Sequence, residues 1–309
     1  MSTRSPKVLI LLATYNGADF LQQQLDSIRA QTHEQWELLA SDDGSTDETR
    51  ELLARFAASV PQSVVVLEGP KKGFWRNFVS LVRSEAADAD LYAFCDQDDI
   101  WFHDKLARAV AWFETQADVA PALYFSRTEL IGSDGATRGY SPEFVRPPTF
   151  QNALVQNIGG GNTMVFNRRA RLFLRATPQG ARIVSHDWWA YQLVTGVGGT
   201  AHYDPKPSLQ YRQHGQNLVG GNRGFKSRLL RIQAFAGGQV AAWSEVNLSF
   251  LHAMRELLLP ESVIVLDRFA RARNGSAPMR LWQLWKSGVY RQTTLENIGL
   301  YLGALFRKL

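Results

Sequence analysis

An α/β fold built on a mixed, mainly parallel sheet flanked by helices is the fold class this sequence predicts, and three observations predict it. The first 115 residues alternate short apolar runs with segments of helical periodicity, the pattern of successive strand–helix units. Three of those apolar runs stop in polar turns, two of them rich in carboxylates, as strands do at the rim of an open sheet. With 45% hydrophobic residues, a chain of 309 can bury one large core or two modest ones.

The elements follow in order. Residues 8–13 read as the first strand, and Phe20, Leu21, Leu25 and Ile28 then recur at helical spacing. A strand at 36–41 precedes a helix over 47–58, with Ser45 or Thr46 as its cap and Asp47 and Glu48 in its first turn, where carboxylates suit the positive helix end. The third strand is 64–68, the next helix 74–82, the fourth strand 91–95 and the helix after it 104–115. Beyond this the pattern loosens. A strand over 123–131 runs into the turn Gly132-Ser133-Asp134-Gly135, and Gly159-Gly160-Gly161-Asn162 leads into a strand at 163–166. Helices are expected at 168–176 and 187–195. From 224 onward the chain reads as mostly helical, broken at Gly237-Gly238, Pro260 and Asn274-Gly275.

Cys95, the single cysteine, lies inside the fourth apolar run, which excludes a disulfide framework or a thiol-rich metal site and suits a reducing cytoplasm. The apolar stretch at 8–13 is too short for a signal-peptide core, and no stretch is long enough to span a bilayer. The overall charge of +5 conceals an asymmetry: residues 1–205 are net −5, whereas 206–309 are net +10. In that basic tail the cations are interleaved with Phe, Trp, Leu and Tyr, as in Phe225-Lys226-Ser227-Arg228 and Arg280-Leu281-Trp282-Gln283-Leu284-Trp285-Lys286. By charge alone it fits nucleic acid or an anionic membrane surface.

The most informative motif is Asp96-Gln97-Asp98-Asp99, directly after the fourth strand. Three carboxylates there repel one another unless positive charge joins them. A divalent cation carrying a phosphorylated ligand answers that, and hard oxygen donors suit Mg²⁺ or Mn²⁺. The plainer reading of an isolated acidic turn is a solvated helix cap. Two other strand ends share the rim: Ala13-Thr14-Tyr15-Asn16-Gly17, and Ser41-Asp42-Asp43-Gly44-Ser45-Thr46-Asp47. Asp42 can accept from a base or ribose hydroxyl, Thr14 and Tyr15 can flank the same ring, and Asp47 reads as a turn and cap residue. No G-x-G-x-x-G follows the first strand and no Walker lysine is present, so dinucleotide and P-loop readings fail.

In this order and spacing, the three motifs resemble those of family 2 inverting glycosyltransferases with the GT-A (nucleotide-diphospho-sugar transferase) fold, over about residues 7–215. The resemblance implies a donor-nucleotide site made by Thr14, Tyr15, Asn16, Asp42, Arg76 and Asp96, and a metal site made by Asp98 and His214. Inverting transfer needs a base to take the proton of the attacking hydroxyl. Asp187, in Ser185-His186-Asp187-Trp188-Trp189, resembles the base motif of the family. Trp101, His186, Trp188 and Trp189 are then the expected acceptor or sugar contacts. For His186, which stands where many members carry a second acid, packing or helix capping is the alternative.

The Q-x-x-R-W pattern of processive members is absent, so a single addition is expected. His186 to Trp189, the loop from Tyr211 to Asn217, and the run from Gly160 to Asn167 are similar to bacterial rhamnosyltransferase-like members. That resemblance implies dTDP-L-rhamnose as donor, with a UDP-hexose as the alternative, and a cell-surface polysaccharide or lipid-linked oligosaccharide as acceptor. The implied layout is a catalytic domain over 1–220, with a nucleotide half to about 115 and an acceptor half beyond it, and a helical extension over 221–309. The extension is expected to rest on the inner face of the cytoplasmic membrane, or else to pack as core or interface. A nucleotidyltransferase would want a basic phosphate loop after the first strand, which is not there. A nucleic-acid or noncatalytic binding module conflicts with acidic strand ends that would repel a polyanion.

Overall fold

The computed structural model describes residues 5–86, 88–116, 120–214 and 238–309. Along the chain run β1 (Val8–Thr14), α1 (Ala18–Arg29), β2 (Trp36–Asp42), α2 (Thr49–Ala57), β3 (Val64–Glu68), α3 (Phe74–Arg83), β4 (Leu91–Cys95), β5 (Ile100–Trp101) and α4 (Lys105–Glu114). Then come β6 (Ala122–Ser126), β7 (Glu129–Gly132), β8 (Thr137–Tyr140), α5 (Phe150–Ala153), β9 (Val165–Asn167), α6 (Arg168–Arg175), α7 (His186–Gly196), β10 (Thr200–Asp204) and β11 (Leu209–Gln213). Four more helices follow: α8 (Gln239–Ala253), α9 (Pro260–Ala272), α10 (Ala277–Ser287) and α11 (Thr294–Leu305).

A seven-stranded sheet in the order β10-β6-β9-β4-β1-β2-β3 carries the molecule, with a four-stranded sheet, β5-β11-β7-β8, beside it. In the large sheet only β9 runs antiparallel to its neighbours β4 and β6. The central parallel strands β1, β2 and β4 are buried on both faces, which is why they read as apolar runs, whereas the outer strands β3 and β10 are partly exposed. In β1, Val8, Ile10 and Leu12 face a core shared with α1, α2 and α4, whereas Leu9 and Leu11 face a larger core shared with α3, α6 and α7. That larger core also takes Leu251 of α8, Leu266 and Phe269 of α9, Leu284 of α10 and Ala304 of α11.

Register positions the site. Thr14 pairs with Asp42 at the ends of β1 and β2, and Leu12 pairs with Cys95, so Asp96 emerges at the same rim.

The structure corrects several expectations. The run 123–131 is two strands, because the chain leaves the large sheet after Ser126 and enters the small one at Glu129. The Asp204-to-Leu209 segment makes the same crossing alongside it, with the Arg127 amide donating to the Asp204 carbonyl and the Ser208 amide to the Arg127 carbonyl. The segments 200–204 and 209–213 are strands that sequence reading left unassigned, since His202, Tyr203, Gln210 and Arg212 break the apolar signal. Neither Ser45 nor Thr46 caps α2, which begins at Thr49: the Ser45 hydroxyl donates to Asp42 and the Thr46 amide to Asn16 Oδ1. The expectations for 215–237 lie outside the described residues.

Candidate active site

The ends of β1 and β2 form a tightly bonded unit. Asp42, 2% exposed, accepts from the Thr14 hydroxyl (3.0 Å), the Ser45 amide (3.0 Å) and the Ser45 hydroxyl (2.5 Å). Asn16, in the left-handed region at φ 44°, accepts the Thr46 amide at 2.8 Å. Short polar side chains tolerate that conformation, which turns the loop back across β2. The carboxylate of Asp47 takes the Ala18 amide at the start of α1 and the Thr49 amide at the start of α2, so one aspartate ties two helix ends. Desolvation would raise its carboxyl, but the Thr49 hydroxyl, donating at 2.6 Å, and these amides together hold it below the usual range. Asp43 accepts the Lys71 and Gly73 amides and fixes the loop ahead of α3. Arg76, on α3, is exposed, lies over the Trp75 ring and donates to the Lys72 carbonyl. Tyr15 is 58% exposed at the mouth of this unit.

Gln97 joins that unit to the acidic loop. Its side-chain oxygen accepts the Tyr15 amide at 2.8 Å and its amide donates to the Tyr15 carbonyl at 3.0 Å. A Cβ at position 17 would meet the end of the Gln97 side chain, so a larger residue there displaces Gln97 from its bonds to Tyr15.

The acidic loop is crowded. Desolvation first, then the charges of Asp99, Asp98 and Asp187, push the Asp96 carboxyl well above the carboxylate range. Asp187 therefore lies within electrostatic reach of Asp96. Asp98 meets His214 at 2.7 Å between Oδ2 and Nε2, and the His214 ring stacks on Phe20 with centroids 5.1 Å apart. Phe20, expected in the buried stripe of α1, instead lines this side of the cleft.

Beneath sits a buried layer whose connections the sequence did not disclose, although Asp99 belongs to the acidic motif. Asp99 is fully buried and accepts from Asn162 Nδ2 (2.5 Å) and the Arg212 amide (3.2 Å). Burial and the Asp98 charge raise its carboxyl to about 8. Lys105, also buried, donates to the Asn162 carbonyl at 2.7 Å and lies 4.4 Å from the Trp101 ring centroid. Burial lowers its ammonium to about 7. Arg212 donates to the Asp98 carbonyl at 3.0 Å and to Gln23, and lies over Phe20. The signal for this layer was present only as polar residues at separations of 57 to 114, which no local pattern connects.

Asp187 occupies the first turn of α7, where the Trp188 amide donates to it at 2.7 Å and the Ser185 hydroxyl also bonds to it. These bonds fix its rotamer while leaving it partly exposed.

The four acceptor contacts expected from sequence do not stand at the cleft surface. The Trp188 indole donates to the Ala153 carbonyl at 2.6 Å and that of Trp189 to the Thr177 hydroxyl at 3.0 Å, both buried. Trp101 is 3% exposed in the core beside Lys105. His186 is packed among Phe74, Phe78 and Phe94, stacked on Phe78 at 3.8 Å, with neither ring nitrogen bonded. Desolvation lowers it to about 4, so it packs as a neutral aromatic ring. Gly161 abuts its Nε2 and has no room for a Cβ. α7 is buried along nearly its whole circumference, so the rings on either side of Asp187 enter the core.

Among the described residues no three His, Cys, Asp or Glu side chains converge as a metal-binding group. Asp98 and His214 nonetheless fit a divalent cation as a pair, since Mg²⁺ and its like are usually held by one or two protein ligands, with phosphate and water oxygens completing the shell. No described helix is long and apolar enough to cross a membrane.

The family model for glycosyl transferase family 2 matches residues 9–176. The dTDP-rhamnosyl transferase RfbG of Shigella flexneri is 29% identical over 236 residues, covering 72% of this chain and 78% of that protein. Among solved structures, the mannosyltransferase PcManGT from Pyrobaculum calidifontis, in complex with GDP-Man and Mn²⁺, aligns with a TM-score of 0.54 at 20% identity over 99% of this chain and 86% of that one. TarS 1-349 of S. aureus, in complex with UDP-GlcNAc, aligns at 0.55 and 16% identity over 97% and 90%. At those identities the structural likeness bears on the fold, which is GT-A.

Proposed function

The chain belongs to glycosyl transferase family 2, and on that premise we propose that it moves L-rhamnose from dTDP-L-rhamnose, with inversion, onto a hydroxyl of a cell-surface polysaccharide or lipid-linked oligosaccharide. The observation that supports the reading is the rim itself: Gln97 links the Tyr15 side of the Asp42 unit to the acidic loop that holds the Asp98–His214 pair, and Asp187 is felt electrostatically by Asp96. RfbG, whose name gives its donor, supports the choice of sugar.

In this reading Thr14, Tyr15, Asn16, Asp42 and Arg76 hold the nucleotide base, Asp96 the ribose, and Asp98 with His214 a Mg²⁺ or Mn²⁺ ion on the diphosphate. The ion supplies charge for the departing diphosphate. Asp187 takes the proton of the acceptor hydroxyl as it attacks the anomeric carbon from the face opposite the leaving group, and the Ser185 and Trp188 donors keep its oxygen aimed. Gln97 keeps the nucleotide and diphosphate sides in register. Residues 1–220 carry this chemistry, 1–115 toward the nucleotide and 116–220 toward the acceptor. The extension beyond 220, helical from α8 to α11 in its described part, places the enzyme against the cytoplasmic face of the membrane, where lipid-linked acceptors are presented.

The test is hydrolysis and transfer with a panel of nucleotide sugars, with Mn²⁺ and with excess chelator. Turnover of dTDP-L-rhamnose above UDP-hexoses, lost on chelation, is expected. Preference for a UDP-hexose would reassign the donor, and full activity in chelator would remove the cation from the account.

A further inference from the structure

The last two helices carry more exposed apolar surface than packing requires. On α10, Met279, Trp282 and Trp285 recur every three residues and are 48%, 50% and 62% exposed. On α11, Leu295, Ile298 and Leu302 are 62%, 53% and 46% exposed, and Phe306 just past its end is 66% exposed. The inward face of α11 needs only Leu300, Gly303 and Ala304 to be buried. Soluble surfaces scatter such residues singly, and a contiguous stripe marks a surface meant for a partner. The sequence run from Leu281 to Trp285 thus divides by helical phase: Leu284 is buried in the core, Leu281 packs against it, and the two indoles face outward.

The two helices are also locked together. Arg280, on the buried side of α10, donates to the Ala304 and Leu305 carbonyls at the end of α11 and to the Gly275 carbonyl, and Arg268 of α9 donates to the Lys286 carbonyl ending α10. The stripes are therefore held on a stiff base.

Charge selects the partner. Lys286 lies 4.7 Å from the Trp285 ring centroid, and Arg307 and Lys308 follow α11. Neither helix carries an acid except Glu296, which is consumed by the Thr293 capping box and by Arg291. A second copy of this face would bring Lys286, Arg307 and Lys308 against like charges, whereas an anionic bilayer meets both the indoles and the cations.

We propose that the outward stripes of α10 and α11, rimmed by Lys286, Arg307 and Lys308, are a docking surface for an anionic lipid bilayer. The proposal rests on the membrane-side reading given above and assigns it to particular residues.

Flotation of the full chain with phosphatidylcholine vesicles, with and without phosphatidylglycerol, tests it at low and high salt. The full chain is expected to float with phosphatidylglycerol vesicles and to fall away in salt. Trp282→Glu with Trp285→Glu, and separately Leu295→Glu with Ile298→Glu, should each weaken partitioning by on the order of tenfold, whereas Val145→Glu, at an exposed apolar position elsewhere, should not. Circular dichroism checks folding, and two separate helices keep the test decisive should one variant misfold. Undiminished flotation of both double variants, no flotation of the full chain, or a vesicle-free dimer that the same substitutions dissociate would overturn the proposal. Donor turnover measured in solution on the same samples separates the two readings. Turnover without vesicle binding defeats only the docking surface, and vesicle binding without turnover of any nucleotide sugar defeats only the glycosyl-transfer reading.

Discussion

Asp42 and Asp98 stand at the same rim of one sheet, two strands apart, and their surroundings are opposites. Around Asp42 the chain supplies its own donors: the Thr14 hydroxyl and both Ser45 groups, with Lys71 and Gly73 amides for its neighbour Asp43. Around Asp98 four carboxylates, Asp96, Asp98, Asp99 and Asp187, share one region with Lys105, Arg212 and the His214 ring. The first arrangement is a finished framework. The second crowds carboxyl groups that raise one another's pKa, and on the proposed function a cation-bound diphosphate would relieve that crowding, so that the Asp42 end gives shape and the acidic end gives chemistry.

The largest expected effect breaks the chemical end alone. Asp187→Asn should lower kcat by roughly 10²–10⁴-fold, the usual worth of a general base, while dTDP-sugar affinity by calorimetry stays nearly unchanged. A parallel loss of affinity would mean that Asp187 shapes the donor site instead.

Next is the buried ring behind it. His186, held at about 4 against its ordinary 6.5, stays neutral in the folded chain while the unfolded chain takes up a proton as pH falls. Its stabilising share is therefore intact above pH 6.5 and is lost toward pH 4, by about 3 kcal/mol at 1.36 kcal/mol per unit. The neighbouring Asp187 charge opposes that shift only in part. His186→Leu should remove this part of the acid lability, seen as a flatter dependence of urea-unfolding free energy on pH than in the native chain.

Smaller effects distinguish the two rim regions. Asn162→Ala leaves the buried Asp99 without its side-chain donor and should cost about 1–3 kcal/mol of unfolding free energy. Thr14→Val removes one of three donors to Asp42 and should cost only about 0.5–1.5 kcal/mol, because the Ser45 bonds persist. If Thr14→Val proved the more damaging, the contrast between a redundant framework and a sparsely supported acidic end would fail.

What the sequence disclosed follows from what local pattern can encode. The parallel strands were legible because burial on both faces makes 8–13 and 91–95 continuously apolar, and the rim motifs because each is contiguous. The rim geometry was legible in outline, since parallel strands bring Thr14, Asp42 and Asp96 to one edge. The misreadings share one cause, a long-range contact outweighing a local cue. Trp188 and Trp189 sit beside Asp187 in sequence, yet successive helical residues diverge by 100°, and the indoles find the Ala153 carbonyl and Thr177 hydroxyl in the core. Phe20 reads as core by spacing but stacks on His214, which arrives from the far end of β11. Asn162 and Arg212 lie in runs that the sequence marked, but their bonds to Asp99 and Asp98, like the burial of Lys105 beside them, were not legible because they depend on one another across the fold.

The most direct test of the central claim, that the acidic end completes its charge balance with a cation and a diphosphate, is calorimetric titration of dTDP into the full chain with Mn²⁺ and with chelator, repeated on Asp98→Asn. Binding at least about tenfold tighter with Mn²⁺ in the native chain, and insensitive to Mn²⁺ in the variant, is the predicted result, since a lost charge-assisted contact of this kind is worth about 1.4 kcal/mol or more. Equal affinity in Mn²⁺ and chelator for the native chain would contradict it.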